Sequence, residues 1–120
     1  MPSYAHVTLV GHVGRDPEMR YTPTGLAVVT FSLGVTIGYG DRRSTLWADV
    51  RCFGKLAERV NESVRKGQPL LISGEPGSLE YEVEGEKRYR KSLPVTASEV
   101  RFLTAREVQP EIADDEPFRK

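Results

Sequence analysis

The stretch Leu46-Trp47-Ala48-Asp49-Val50-Arg51-Cys52-Phe53-Gly54-Lys55-Leu56-Ala57-Glu58 constrains the fold more than any other. It alternates with a period of two as far as Phe53 and then changes to a helical period. Successive side chains of a strand point to opposite faces. Ala48, Val50 and Cys52 therefore share one face, small and apolar, suited to a core. Trp47, Asp49, Arg51 and Phe53 share the other. Both aromatics can be core residues only if that sheet is covered on both sides. The alternative is an open face that stacks flat rings, and nucleobases on a charged backbone are the commonest partners of that kind.

The rest of the chain extends the strand pattern. His6 to Val13 alternates, with Val7 and Leu9 apolar, and reads as a strand. Arg15-Asp16-Pro17 and Thr22-Pro23-Thr24-Gly25 are turn chemistry. From Ala27 to Ile37 the period of two is cleanest, with Phe31, Leu33, Val35 and Ile37 on one face and Thr30, Ser32 and Thr36 on the other. Gly38 to Ser44 is a Gly-rich basic loop. A helix is expected over Lys55–Lys66, its apolar stripe formed by Leu56, Val60 and Val64. Gly67 is placed to end it, and Arg65 and Lys66 suit its last turn. Pro69 to Gly74 reads as a short strand. Leu79 to Lys91 reads as a polar hairpin turning at Glu84-Gly85-Glu86. Leu93 to Leu103 reads as a last strand. Strands with a single helix between the third and fourth long ones suit a small Greek-key barrel of the OB type. A sandwich with an extra helix is the alternative.

With 120 residues and 38% hydrophobic content, one domain with one core is expected. No apolar run approaches the roughly 18 residues of a membrane span, and no basic-then-apolar leader is seen, so a cytoplasmic location is expected. The net charge is zero, which by itself argues against a nucleic-acid partner. The distribution reverses that argument. Residues 1–106 carry 15 Lys and Arg against 12 Asp and Glu, whereas residues 107–120 carry 2 against 5. A mildly basic body is joined to an acidic tail. Binding to nucleic acid would then depend on stacking and local cationic tracks more than on a strong global field.

Signals for catalysis are poor. His6 and His12 are six apart, which is neither the i, i+4 spacing of a helical metal pair nor any other usual ligand spacing. Pairing them with Cys52 as base and nucleophile is conceivable, but six apart on a strand puts both His on one face, and they read as surface or interface histidines. The lone Cys52 falls on the inward face and reads as a small buried hydrophobe. Gly38-Tyr39-Gly40 lacks the strand-to-helix setting of a phosphate loop. No enzyme activity, metal or cofactor is expected.

Trp47 followed by Phe53-Gly54-Lys55-Leu56-Ala57-Glu58 resembles the centre of the bacterial single-stranded DNA-binding protein (SSB) family. Val7-Thr8-Leu9-Val10-Gly11-His12-Val13-Gly14-Arg15-Asp16-Pro17-Glu18 with Arg20-Tyr21 resembles its opening strand and loop. Val28-Val29-Thr30-Phe31-Ser32-Leu33 resembles its second strand, and Val64-Arg65-Lys66-Gly67 its Leu-Arg-Lys-Gly. The likeness covers residues 4 to 103, and several motifs in one order are more specific than any single one. It implies an OB barrel, a homotetramer, and bases stacked on positions matching Trp47 and Phe53. Tyr39 and Tyr81 fall where the family often carries Trp; Tyr still stacks, with a smaller surface. An alternative reading makes Tyr81 and Tyr89 ordinary cross-strand partners. Phosphate contacts are expected from Arg42, Arg43, Arg51, Lys55 and Lys87. The arm Lys87-Arg88-Tyr89-Arg90-Lys91 faces Glu80, Glu82, Glu84 and Glu86, so cross-strand pairing can neutralise part of it. Asp49 lies where the family often carries a base.

Residues 107–120 are expected to form a separate, disordered acidic tail. Asp114-Asp115-Glu116-Pro117-Phe118 resembles the family's C-terminal tip, which recruits replication and repair proteins. Two features depart from it: Arg119-Lys120 follow the Phe, and the usual Gly/Gln/Pro-rich linker is nearly absent. Rival functions are a primosomal or RNA-binding OB protein, or an interaction module acting mainly through the tail.

Overall fold

The structure, a computed structural model, describes residues 3–103. Its elements are β1 (Val7–Val13), β2 (Glu18–Tyr21), β3 (Ala27–Ile37), a 3₁₀ turn (Gly40–Arg42), β4 (Ser44–Phe53), α1 (Lys55–Ser63), β5 (Pro69–Pro76), β6 (Glu80–Val83), β7 (Glu86–Tyr89) and β8 (Leu93–Phe102). Five strands close on themselves in the order β1-β5-β8-β4-β3, with β3 returning to β1 at Gly34↔His12 and Leu33↔Val13. Only β4 and β8 run parallel. α1 lies between the third and fourth barrel strands, so the expected OB barrel is the architecture observed.

The alternating sequences explain the wall. In β3, Ala27, Val29, Phe31 and Leu33 are buried, and in β4 so are Ala48, Val50 and Cys52. Leu9, Val13, Leu70, Ile72, Val95 and Ala97 join them in the interior. Each of the larger side chains removed from water contributes roughly 1.5–3 kcal/mol. Ile37 departs from the expected core face: it is 46% exposed. From Val35 onward β3 pairs only with β4, and after Val35, which still packs against the core, the two-stranded ribbon projects into solvent.

β2 lies between the two expected turns, Arg15–Pro17 and Thr22–Gly25, and was not expected as a strand of its own. It pairs with β3 from Glu18↔Thr30 to Tyr21↔Ala27, continuing along β3 the edge that β1 occupies at Leu33 and Gly34. The intervening loop is pinned where the Lys66 backbone N–H donates to Asp16 Oδ1 at 2.7 Å.

α1 ends three residues earlier than its pattern predicts. Val64 takes up an extended backbone (φ −87°, ψ 134°), although its N–H still donates to the Val60 carbonyl. Arg65 Nη1 then donates to the carbonyls of Asn61 and Val64 at 3.1 and 2.7 Å, capping the terminal carbonyls as its position suggests. The buried stripe is Ala57, Val60 and Val64; Leu56, expected in it, sits half-buried on the flank. At the other end Gly54 (φ 66°) turns β4 into α1. That left-handed backbone favours glycine, and it lets the chain change period immediately after Phe53.

Candidate nucleic-acid interface

The outward face of β4 is ordered by its pairing with β3 and β8. Gly34 lies opposite Trp47, Ser32 opposite Asp49, Thr30 opposite Arg51 and Val28 opposite Phe53. On the far side Pro94 partners Asp49 and Thr96 partners Arg51. Beyond β3, Glu18 and Arg20 of β2 partner Thr30 and Val28. The β3 row is built of small side chains, so the long side chains of β4 stand above it. Trp47 is 45% exposed and Phe53 40%, while Ala48, Val50 and Cys52 behind them are fully buried.

The Trp47 ring is laid down by two glycines. A Cβ on Gly34 would sit 3.0 Å from Trp47 Cζ3, and one on Gly14 would sit 2.7 Å from the same atom. At Gly14 a side chain would force the ring or its surroundings to shift, and at Gly34 it would press the ring by a few tenths of an ångström, so the two glycines let the indole rest on the backbone of β3 and of the loop after β1. One part of the ring is thereby held while the remainder stays open to solvent.

The other aromatics and cations fall into two further places. Tyr39, Arg42 and Arg43 sit at the tip of the β3–β4 ribbon, exposed, in a turn closed by Arg42 N–H to the Tyr39 carbonyl (2.8 Å) and Arg43 N–H to the Gly40 carbonyl (3.2 Å). Tyr81 lies in the β6–β7 hairpin, whose two-residue turn places Glu84 at φ 52° and Gly85 at φ 84°. Tyr81 is cross-strand from Arg88, and Tyr89 from Glu80. The two tyrosines therefore occupy opposite faces of the hairpin and are not partners. Instead the Arg90 guanidinium carbon lies 5.0 Å from the Tyr81 ring centroid, a cation–π contact that holds one ring face.

Lys87 Nζ is 3.7 Å from Glu80 Oε2, and Arg88 pairs with Glu86 at 3.1 Å. The cross-strand neutralisation expected of the hairpin is thus present at Lys87 alone, since Arg88 and Glu86 lie on the same strand; exposed pairs of either kind hold weakly. Lys55 is the first residue of α1 and is exposed. A cation there opposes the positive end of the helix dipole, so helix stability does not account for it.

Arg20 was not singled out from sequence as a binding cation, and Arg90 was read only as part of the cationic hairpin arm. Arg20 comes into line with Val28 and Phe53 only through the β2–β3 pairing. Arg90 meets Arg51 and Asp49 in an open groove of about 280 Å³ between the barrel and the hairpin. Recognising Glu18-Met19-Arg20-Tyr21 as a strand with Met19 inward would have found the first; for the second, no local signal marks its meeting with Arg51 and Asp49.

The pairing of Cys52 with a histidine is not assembled. Cys52 points into the barrel, and burial pushes its thiol up to about 12. His12 lies exposed on the outer side of β1, so the barrel wall separates it from Cys52. His6 stacks on Tyr4, with ring centroids 6.4 Å apart. No helix among the described residues is long and apolar enough to cross a membrane. The tail, including Asp114, Asp115, Glu116, Pro117 and Phe118, lies outside the described residues.

Comparison with known proteins agrees with this geometry. Residues 4–103 match the single-strand binding protein family. Over 90 residues the chain is 39% identical to a single-stranded DNA-binding protein of Paenarthrobacter aurescens, an alignment covering 68% of this chain and 53% of that protein. The chain thus spans about half the length of that relative. An OB barrel, the Trp47 and Phe53 face and a family match across nearly all the described residues lead to one conclusion: the chain belongs to the single-strand binding protein family.

Proposed function

We propose that this chain binds single-stranded DNA without strong sequence preference. The observation that carries the reading is the outward row of β4: two large aromatics, half exposed, alternate with fully buried small residues on the same strand. Trp47, Phe53, Tyr39 and Tyr81 stack on bases, and Arg42, Arg43, Arg51, Lys55 and Lys87 follow the phosphates. Arg20 joins them beside Phe53. Stacking accepts any base because every base has a π-face, whereas paired bases offer none.

The same reading extends to assembly and partners. The chain forms a homo-oligomer of four subunits in the cytoplasm. Its acidic tail recruits replication and repair proteins through Asp114, Asp115, Glu116, Pro117 and Phe118. Arg119 and Lys120 weaken that contact by placing positive charge where a partner meets a carboxylate. Deleting residues 107–120 leaves DNA affinity equal or higher and abolishes partner binding. A loss of DNA affinity on deletion would make the tail part of the binding surface instead.

Titration of Trp47 fluorescence with poly-dT, poly-U and duplex DNA tests the central reading. Poly-dT quenches and binds most tightly, and duplex competes poorly. Equal affinity for duplex would point to nonspecific charge attraction, and a preference for poly-U to an RNA-binding barrel.

A further inference from the structure

Asp49 stands between the stacking residue Trp47 and the cation Arg51 on the open face of β4. A carboxylate there repels phosphate, so phosphate tracking does not explain it. Among the described residues its carboxylate has no ion pair within 4 Å and no hydrogen bond from a protein donor, whereas the nearby Glu80 is engaged by Lys87. Asp49 lines the 280 Å³ groove together with Arg51, Arg90 and Glu80, over Pro94. Arg90 is itself held against the Tyr81 ring. The groove therefore combines a free acceptor with guanidinium donors and the apolar side chains of Pro94 and Val95. Two carboxylates make it a poor seat for phosphate and a good one for the polar edge of a base.

Building on the single-stranded DNA reading, we propose that this groove is a guanine-preferring subsite, with Asp49 as its specificity-determining residue. Guanine presents two neighbouring donors, N1–H and the N2 amino group, which one carboxylate accepts together. Its O6 acceptor lies beside them, within the reach of a guanidinium such as that of Arg51. Residues two apart on a strand are separated by roughly 7 Å, so Asp49 and Arg51 span opposite ends of one base edge. Adenine and cytosine each offer a single amino donor next to a ring acceptor that the carboxylate repels. Thymine offers one N–H between two carbonyls. Unstacked bases of a single strand expose the edges this readout needs. The other stacking positions remain indifferent to base, so the preference is local and modest.

The test compares (dT), alternating d(TG) and alternating d(TI) oligomers of about 12 nucleotides, within the site size of one OB barrel. Inosine lacks only the N2 amino group. The 120-residue chain and its Asp49→Asn variant are titrated in lithium buffer, which disfavours guanine quadruplexes, with Trp47 fluorescence as readout. The parent binds d(TG) about fivefold tighter than d(TI), the low end for a bidentate base contact. Asp49→Asn brings that ratio close to one while (dT) binding is retained. A ratio of one in the parent, a ratio that survives Asp49→Asn, or an equal gain on all three oligomers in the variant overturns the subsite. Failure of the parent to bind (dT) overturns the DNA-binding reading itself, and is distinguished from the other outcomes by that arm.

Discussion

The two faces of β4 share one backbone and differ in almost everything else. The inward face is small, uniform and closed: Ala48, Val50 and Cys52 touch no solvent. The outward face alternates aromatic, carboxylate, guanidinium and aromatic, and stays open. The inward face gains free energy by leaving water. The outward face forgoes that gain at Trp47 and Phe53, whose rings remain available. One strand thus separates the residues that hold the barrel together from those that meet a partner, and substitutions on the two faces should fail in different assays.

The largest effect is expected from Val50→Asp. It places an unpaired carboxylate in the closed interior, a mechanism that costs several kcal/mol. Circular dichroism at 25 °C should show loss of the fold; a cooperative transition near that of the parent would contradict the assignment of the inward face. Leu33→Ala, also inward, should lower stability by about 2–5 kcal/mol in urea denaturation. Its folded fraction should bind single-stranded DNA like the parent.

Gly34→Val sharpens the comparison because it attacks the outward face through the backbone. The added side chain meets the Trp47 ring, which must lift from β3. A changed Trp47 emission and a loss of about 1–3 kcal/mol in DNA binding are expected, of the order of one stacked base. An unchanged spectrum and affinity would show that the ring does not need its glycine shelf.

The effect that is smallest near neutral pH concerns Cys52. Burial raises the Cys52 thiol from 9.0 to about 12, so the folded state keeps its proton where the unfolded chain gives it up. The contribution is fully present below about pH 9 and is lost as pH rises towards 12. Comparing the parent with Cys52→Ala by thermal melting from pH 7 upward isolates it from other titrating groups. The parent should lose stability faster above pH 9; parallel curves would mean that Cys52 is not closed off from water.

Much of this arrangement was legible in the sequence because strands buried on one face only leave a strict period of two. Ala27 to Leu33 and Ala48 to Phe53 were readable residue by residue, and so was the change of period at Gly54. What escaped depends on non-local contacts. β2 has one core-facing apolar residue, Met19, and exists because β3 offers it an edge. α1 stops at Ser63 because Val64 turns inward and the Arg65 side chain satisfies the last carbonyls, which the periodicity of Leu56, Val60 and Val64 does not reveal. The opposite faces of Tyr81 and Tyr89 follow from a two-residue turn that sets the hairpin register. The meeting of Asp49, Arg51 and Arg90 joins β4 to a hairpin nearly forty positions later, and only the closed barrel brings it about.

The central claim is that the outward face of β4 binds and the inward face folds. Trp47→Ala tests it most directly, with thermal unfolding and poly-dT affinity measured on the same preparation. The account predicts a melting transition close to that of the parent and binding weakened by about 1–3 kcal/mol. A variant that melts much earlier, or that folds and binds poly-dT as tightly as the parent, would contradict it.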